Sequence, residues 1–374
     1  MINNLKNLII FFPSLEKGGA INIFLNLVKY FIKKKINVII VTSKANSNYL
    51  SKEIFKANII SSNNFYIPFI NNRIISGYLC FFSLFKILLK SDRSDTKILS
   101  MQSNFFSVFI SFLLNFKIAV RVSEDPCGAT IHADNKLFGW LIFLTKIITY
   151  NLSTLIIANA TKSKSCIENI IFNKKKIKIL FNPYLEKIFY FKKKKIKKNY
   201  ILSVGRFTKQ KNFLCLLEAY KIVNKIKKYK SYKLIICGSG PDEVILKKKI
   251  AEYKLSNDVF VYPWSNNLKK LYLKSKLYIL PSLYEGMPNV LIDAINYEVP
   301  IIASDVSGVG DLILRPKAYQ IIKKIDKVNL ANSLIKAFKN YATLKKNVKI
   351  SKKKINRYTV EKAGSNFFKV ISKF

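Results

Sequence analysis

Continuous apolar runs closed by glycine, proline or asparagine recur along the chain, and stretches with apolar residues at helical spacing lie between them. Asn7 to Phe12, Ile36 to Val41, Lys97 to Ser100, Lys117 to Val122, Thr154 to Ala158 and Lys176 to Leu180 predict strands. Runs without polar alternation are what strands covered on both faces of a parallel sheet require. Ala20 to Ile32 predicts the first helix, with Ile21, Phe24, Leu25, Val28 and Phe31 at helical spacing. The pattern breaks over Pro183 to Asn199, where Lys192 to Lys198 is nearly all basic, and this stretch reads as an interdomain linker. It resumes with strands at Tyr200–Val204, Lys233–Cys237, Val259–Tyr262 and Lys276–Leu280, and helices at Phe213–Ile226, Asp242–Tyr253 and Asn266–Lys274. The alternation predicts an α/β protein of two Rossmann-like, doubly wound parallel-sheet domains, residues 1–183 and 184–355, followed by a closing segment, 356–374.

The stretch from Leu280 to Leu312 runs strand, loop, helix, strand, loop. Pro288 suits a first helical turn, where its missing N–H would have no partner. The amides of Met287, Asn289 and Val290 then point out of a helix start, a place that favours phosphate. Glu285 precedes this anion site, and Asp293 shares a helix face with Asn289. An anion site flanked by carboxylate acceptors fits a phosphate between two hydroxyl-rich groups, which describes a sugar nucleotide.

Glycine concentrates on the same edge. Eight of the 12 glycines (18, 19, 205, 238, 240, 286, 308 and 310) fall in loops at the carboxyl ends of predicted strands, where backbone must come close to something. Arg206 follows Gly205 directly and Lys211 stands five residues on. Arginine holds a diphosphate with two parallel hydrogen bonds, and lysine adds a point charge. Glu124 and Asp125, at the end of another strand, are candidates for an acceptor-side base and equally fit a plain turn before Pro126.

Composition narrows the class. Of the 374 residues half are apolar, and the net charge is +44, with 59 lysines against six arginines. So positive a surface is drawn to anionic membranes. The lysines form no arginine-rich or aromatic-interleaved stripe, so nucleic acid is not expected as a partner. Five scattered cysteines without a CxxC pair indicate neither a disulfide framework nor a zinc site and favour a reducing cytoplasm. His132 is the single histidine, which sets Ser-His-Asp and Cys-His chemistry low. Tyr78–Leu89, Phe105–Val120 and Leu137–Ile157 are greasy, but Lys86, Lys117 and Lys146 interrupt them, and they read as buried helices and strands. The N-terminus carries no secretory signal.

Taken together, Gly18-Gly19-Ala20, Asn182-Pro183, Val204-Gly205-Arg206 with Lys211-Asn212, Gly238-Ser239-Gly240-Pro241 and Ser282 to Leu291 resemble glycosyltransferase family 4, retaining enzymes of GT-B architecture. The resemblance implies two Rossmann-like domains facing across a cleft, with the helix near Thr359–Ile371 crossing back to the first. It implies that Arg206 and Lys211 hold the donor diphosphate, Glu285 a donor-sugar hydroxyl, the amides after Gly286 the phosphate and sugar, and Asp293 the ribose. Gly18 and Gly19 would approach the phosphates from the first domain, while Gly205 and Gly238 lie in the nucleotide loops. Three positions depart from the family: Asp293 stands for Glu, Pro263 for Gly before Trp264, and Ile21-Asn22 for an acidic-basic pair.

The expected activity is metal-independent, retaining hexosyl transfer from a nucleotide-diphosphate sugar, UDP-sugar favoured, to a glycan or polyprenyl-linked acceptor in cell-surface polysaccharide or glycolipid synthesis. No cofactor is implied, and no Asp-x-Asp motif for a nucleotide-bound metal occurs. The expected location is cytoplasmic, peripheral on the inner face of the membrane. An epimerase of similar fold, or a binding subunit without activity, is the alternative.

Overall fold

A computed structural model describes residues 5–14, 19–42, 54, 56–61, 72–190, 200–264, 268–313, 320–322 and 324–374. These form two compact units, Met1–Glu186 with Arg357–Phe374, and Lys187–Asn356.

The first unit contains strands β1 (Asn7–Phe11), β2 (Asn37–Thr42), β3 (Asn58–Ser61), β4 (Thr96–Ser100), β5 (Ile118–Val122), β6 (Leu155–Ala158) and β7 (Ile177–Ile179). They form one parallel sheet in the order β3-β2-β1-β4-β5-β6-β7. Helices α1 (Gly19–Lys33), α2 (Asn72–Leu89), α3 (Asn104–Leu113), α4 (Pro126–Ile131), α5 (Lys136–Leu152) and α6 (Thr161–Glu168) connect them. On one face Phe24, Leu27 and Phe31 of α1 cover Leu8 and Ile10; on the other Leu84 and Leu88 of α2 and Val108 of α3 cover Ile9, Phe11 and Ile98.

The second unit contains β8 (Tyr200–Val204), β9 (Lys233–Gly238), β10 (Val259–Pro263), β11 (Ser275–Leu280), β12 (Ile301–Ser304) and β13 (Gln320–Ile322), parallel in the order β10-β9-β8-β11-β12-β13. Its helices are α7 (Phe213–Asn224), α8 (Glu243–Glu252), α9 (Lys269–Lys274), α10 (Asn289–Asn296), α11 (Val309–Leu312), α12 (Lys327–Lys339) and α13 (Tyr341–Lys352). Leu216, Leu217 and Tyr220 of α7 meet Leu330 and Leu334 of α12 over Ile201, Ile236 and Ile279. The strand order reverses between β8 and β11, and it is outside the carboxyl ends of strands at such a switch point that open α/β sheets bind ligands.

The last helix, α14 (Val360–Lys373), belongs to the first unit and packs on α1 through Phe367 and Ile371. A Cβ on Gly364 would stand 2.6 Å from the Tyr30 ring, so only glycine lets the two helices come this close.

Four expectations change. The strands β3 and β13 were not anticipated; at four and three residues they are too short to show a pattern. Pro183–Asn199 is not linker throughout. The Tyr184 and Leu185 amides donate to the Tyr358 carbonyl, Phe189 N–H donates to Asn296 Oδ1, and the Phe189 ring stacks on Tyr297. The basic run Lys192–Lys198 lies outside the described residues. Cys127 on α4 and Cys166 on α6 form a disulfide with Cα atoms 6.2 Å apart. Scatter along the chain says nothing about distance in space, so cysteine usage no longer argues for a reducing compartment. Finally, α5 is apolar on nearly all sides and yet largely exposed.

Candidate functional site

Loops 205–212 and 281–288 leave neighbouring strands, β8 and β11, on the same edge of the sheet. Glycine builds the first of them. Gly205 N–H donates to the Cys237 carbonyl at 3.0 Å, and Phe207 N–H donates to the Ser239 carbonyl at 2.8 Å. A Cβ on Gly238 would stand 1.9 Å from the Gly205 carbonyl oxygen, and Gly240 has φ +156° with a Cβ position 2.4 Å from the Phe207 carbonyl. The loop after β9 therefore lies on the loop after β8 with no space for side chains.

A 3-10 turn, Lys209–Lys211, then swings Lys211 inward. Its ammonium donates to Glu285 Oε1 at 2.5 Å, and Ser282 Oγ donates to the same oxygen at 2.7 Å. Both charged side chains are largely buried, 14% and 8% exposed. At that depth each charge is tolerable because the other is present. Gln210 holds the two loops in register: its carbonyl accepts from Leu283 N–H at 2.8 Å, and its side-chain amide donates to the Tyr284 carbonyl at 2.9 Å. Neither Gln210 nor the role of Ser282 was visible in the sequence, because their partners are 74 and three residues away and belong to an irregular loop. Gln210→Ala is expected to raise the donor KM about three- to tenfold while stability falls by only about 1 kcal/mol. Steady-state kinetics with a thermal melt checks this, and an unchanged KM would remove Gln210 from the site.

Arg206 and Lys211 are not an equivalent pair. Arg206 is exposed and its side chain makes no hydrogen bond or ion pair among the described residues, whereas Lys211 is engaged by Glu285. The arginine is thus open to an anion arriving from solvent.

The second loop is packed from behind. Gly308 has φ +79°, and a Cβ there would meet the Gly286 carbonyl at 2.6 Å and Pro288 Cδ at 2.8 Å. Met287 is buried beside them. Pro288 is the N-cap of α10 rather than its first residue, with φ −76° and ψ 93°. The helix starts at Asn289, Leu291 N–H turns back to the Pro288 carbonyl, and Val290 N–H lies in the first turn, where amides have no helical acceptor. Asp293 follows one turn on, partly buried on α10. Burial first, and then the charges of Glu285 and Asp293, push the Tyr278 phenol well above its ordinary range, so it stays neutral and donates to the Val204 carbonyl at 3.2 Å. That bond ties β11 to the end of β8 beneath the site.

In the first unit Gly19 opens α1 and is exposed, while Gly18 lies outside the described residues. At the carboxyl end of β5, Arg121 is almost fully buried and donates to Ser123 Oγ and Asn182 Oδ1, each at 2.6 Å. Burial lowers its guanidinium to about 10, and no carboxylate faces it among the described residues. It fastens the loop after β5 to Asn182. Asp125 caps α4 by accepting from Cys127 N–H, and Glu124 pairs with Lys146 at 2.9 Å, so each has a structural task. His132 caps the end of α4. Asp125 also lies beside the Cys127–Cys166 disulfide, whose sulfurs are not thiolates and hold no metal in this state.

Residues 186–357 match the model of the family of glycosyl transferases, group 1, a range that coincides with the second unit. The amylovoran biosynthesis glycosyltransferase AmsD of Erwinia amylovora is 37% identical over 125 residues, covering 33% of this chain and 34% of that protein. An uncharacterized glycosyltransferase of Methanocaldococcus jannaschii is 30% identical over 223 residues, 57% of this chain and 53% of that one. The chain thus spans between a third and about half the length of these relatives. A Campylobacter jejuni protein, named N-acetylgalactosamine-N,N'-diacetylbacillosaminyl-diphospho-undecaprenol 4-alpha-N-acetylgalactosaminyltransferase, is 25% identical over 357 residues, 90% of this chain and 94% of that one. Among solved structures, HepE of Anabaena in complex with UDP and glucose superposes with a TM-score of 0.78 at 13% identity, covering 99% of this chain and all of that one. The sucrose-phosphate synthase of Thermosynechococcus elongatus gives 0.78 at 14% identity, covering 98% of each chain. At these identities the likeness establishes the fold, GT-B with two parallel-sheet domains.

Proposed function

We propose that the chain is a retaining glycosyltransferase that moves a hexosyl group from a nucleotide-diphosphate sugar, UDP-sugar favoured, to a lipid-linked glycan acceptor at the cytoplasmic face of a membrane. The observation that carries the reading is the Lys211–Glu285 pair at the switch point between β8 and β11, in a loop that also carries Arg206, whose side chain has no partner among the described residues, and before the start of α10. It supplies cations and amides for a diphosphate and a carboxylate for a sugar hydroxyl within one site.

In this reading the acceptor hydroxyl attacks the anomeric carbon on the face from which the diphosphate departs. The bond from that carbon to the diphosphate oxygen breaks, and the acceptor proton passes to the departing oxygen. Arg206, Lys211 and the amides of Met287, Asn289 and Val290 stabilise the developing charge. Glu285 shifts from Lys211 to a donor hydroxyl, and Asp293 accepts from the ribose. Undecaprenol diphosphate in the name of the Campylobacter relative, and UDP in the HepE complex, support the acceptor and donor classes. Nucleotide sugars are multiply charged and do not cross bilayers unaided, which supports the cytoplasmic face.

Calorimetric titration with a panel of UDP-, GDP- and ADP-sugars tests the donor site: a UDP-sugar is expected to bind, and a panel without any binder overturns the reading. Because no Asp-x-Asp motif is present, turnover is expected to persist in EDTA. Loss of turnover in chelator with recovery on Mn²⁺ would overturn metal independence.

A further inference from the structure

One face of the first unit is apolar to an extent its fold does not require. On α5, Leu137, Phe138, Trp140, Leu141, Leu144 and Ile148 are exposed, Leu137 by 73% and Trp140 by 58%. The adjoining α3 exposes Phe109 and Phe112 and packs on α5. Ring contacts run without a break from Phe109 through Phe105 and Phe106 to Tyr78 of α2, so the aromatic surface of α3 continues onto α2. A contiguous apolar surface on a soluble domain marks an interaction site.

Its charge identifies the partner. Among residues whose side chains are described, the three helices carry Lys86, Lys136 and Lys146, the last paired with Glu124, and no acidic residue. The whole chain is +44, which repels a second copy and draws an anionic surface. Trp140 stands among the exposed apolar side chains, and tryptophan favours the boundary between headgroups and acyl chains. No helix of the described residues is long and apolar enough to cross a membrane, and α5 is held from beneath by buried Gly139, Thr149 and Tyr150. A helix so fixed, with one greasy side outward, can lie in the plane of the headgroups.

We infer that the exposed face of α3 and α5 docks on an anionic lipid bilayer by inserting its apolar side chains. The inference deepens the proposed function, for which it supplies the way a soluble donor site reaches a lipid-linked acceptor. Insertion differs from simple charge attraction in its response to salt, because screening weakens ion contacts and leaves apolar burial intact.

The test is flotation of the full chain with phosphatidylglycerol/phosphatidylcholine vesicles. Wild type is expected to stay bound at about 0.5 M NaCl, where the Debye length falls to about 4 Å. Leu137→Glu/Leu141→Glu is expected to lose at least about tenfold in vesicle affinity. Val244→Glu/Val328→Glu makes the same charge change at exposed apolar positions of the second unit and is expected to bind as wild type. In a Trp264→Phe background, Trp140 fluorescence should shift to the blue on vesicle addition. Release of wild type by salt, equal losses in the two double variants, or an unmoved Trp140 spectrum overturns the inference, as does a light-scattering result in which only dimerisation responds to the α5 variant. UDP-sugar binding by each variant reports its fold. Vesicle binding without any nucleotide-sugar binding removes the transferase reading and leaves the docking face standing; the reverse removes the docking face alone.

Discussion

Glu285→Gln is expected to lower kcat for glycosyl transfer by about 10²- to 10³-fold, the range found when one preorganised electrostatic contact to a reacting group is removed. Glutamine retains the shape and a partner for Ser282 Oγ but not the charge. Two consequences follow. The donor hydroxyl loses its strongest acceptor, and Lys211 loses the carboxylate that neutralises it at 14% exposure. The second consequence bears on stability, since removing one partner of a buried pair leaves the other uncompensated at about 3 kcal/mol or more in full burial, and less here because the site opens to solvent. A melting curve therefore accompanies the kinetics. Lys211→Met and the double variant complete a cycle in which stability effects are expected to be less than additive, because the double variant has no stranded charge. A Glu285→Gln protein that transfers sugar within a few-fold of wild type would remove Glu285 from the chemistry.

Gly238→Ala carries the largest expected effect on stability. The new Cβ would lie 1.9 Å from the Gly205 carbonyl oxygen and 2.9 Å from Phe207 Cε1, and the first of these is backbone that cannot rotate away. Relief requires β8 and β9 to move apart where Gly205 N–H bonds to the Cys237 carbonyl. A loss of about 3 kcal/mol is expected, the upper range for overpacking, which lowers Tm by roughly 6–12 °C for a unit of this size. Donor binding should fall with it, because loop 205–212 carries Arg206 and Lys211. Gly310→Ala is the control: nothing lies within 4 Å of its Cβ position, and a change of less than about 1 kcal/mol is expected, in the stabilising direction if any. Differential scanning calorimetry of both variants decides the matter, and equal melting temperatures would mean that the contact between the two loops relaxes freely.

The strands were legible wherever both faces of a sheet had to be covered. Runs such as YILSV and SKLYIL have no polar alternation, and the predicted strands there coincide with β8 and β11 to within a residue. Loops were legible where backbone conformation demands a special residue: Gly238, Gly240 and Gly308 each occupy a place that a Cβ would fill. In both cases the requirement is local, so it is written at the position where it acts.

Requirements that depend on two distant stretches were not legible. That Lys211 turns inward to Glu285 while Arg206 faces solvent follows from the fit of two loops 74 residues apart, held by Gln210. Cys127 meets Cys166 across 39 residues because α4 and α6 follow neighbouring strands. The all-round apolar pattern of α5 suggested burial, yet periodicity records which residues are apolar and not whether anything covers them. Sequence alone determined the alternation of elements and the glycines that let loops approach, because sterics and hydrophobicity act residue by residue. Only the tertiary structure decided which charges meet and which apolar face stays open, because those depend on distances that the chain's order does not contain.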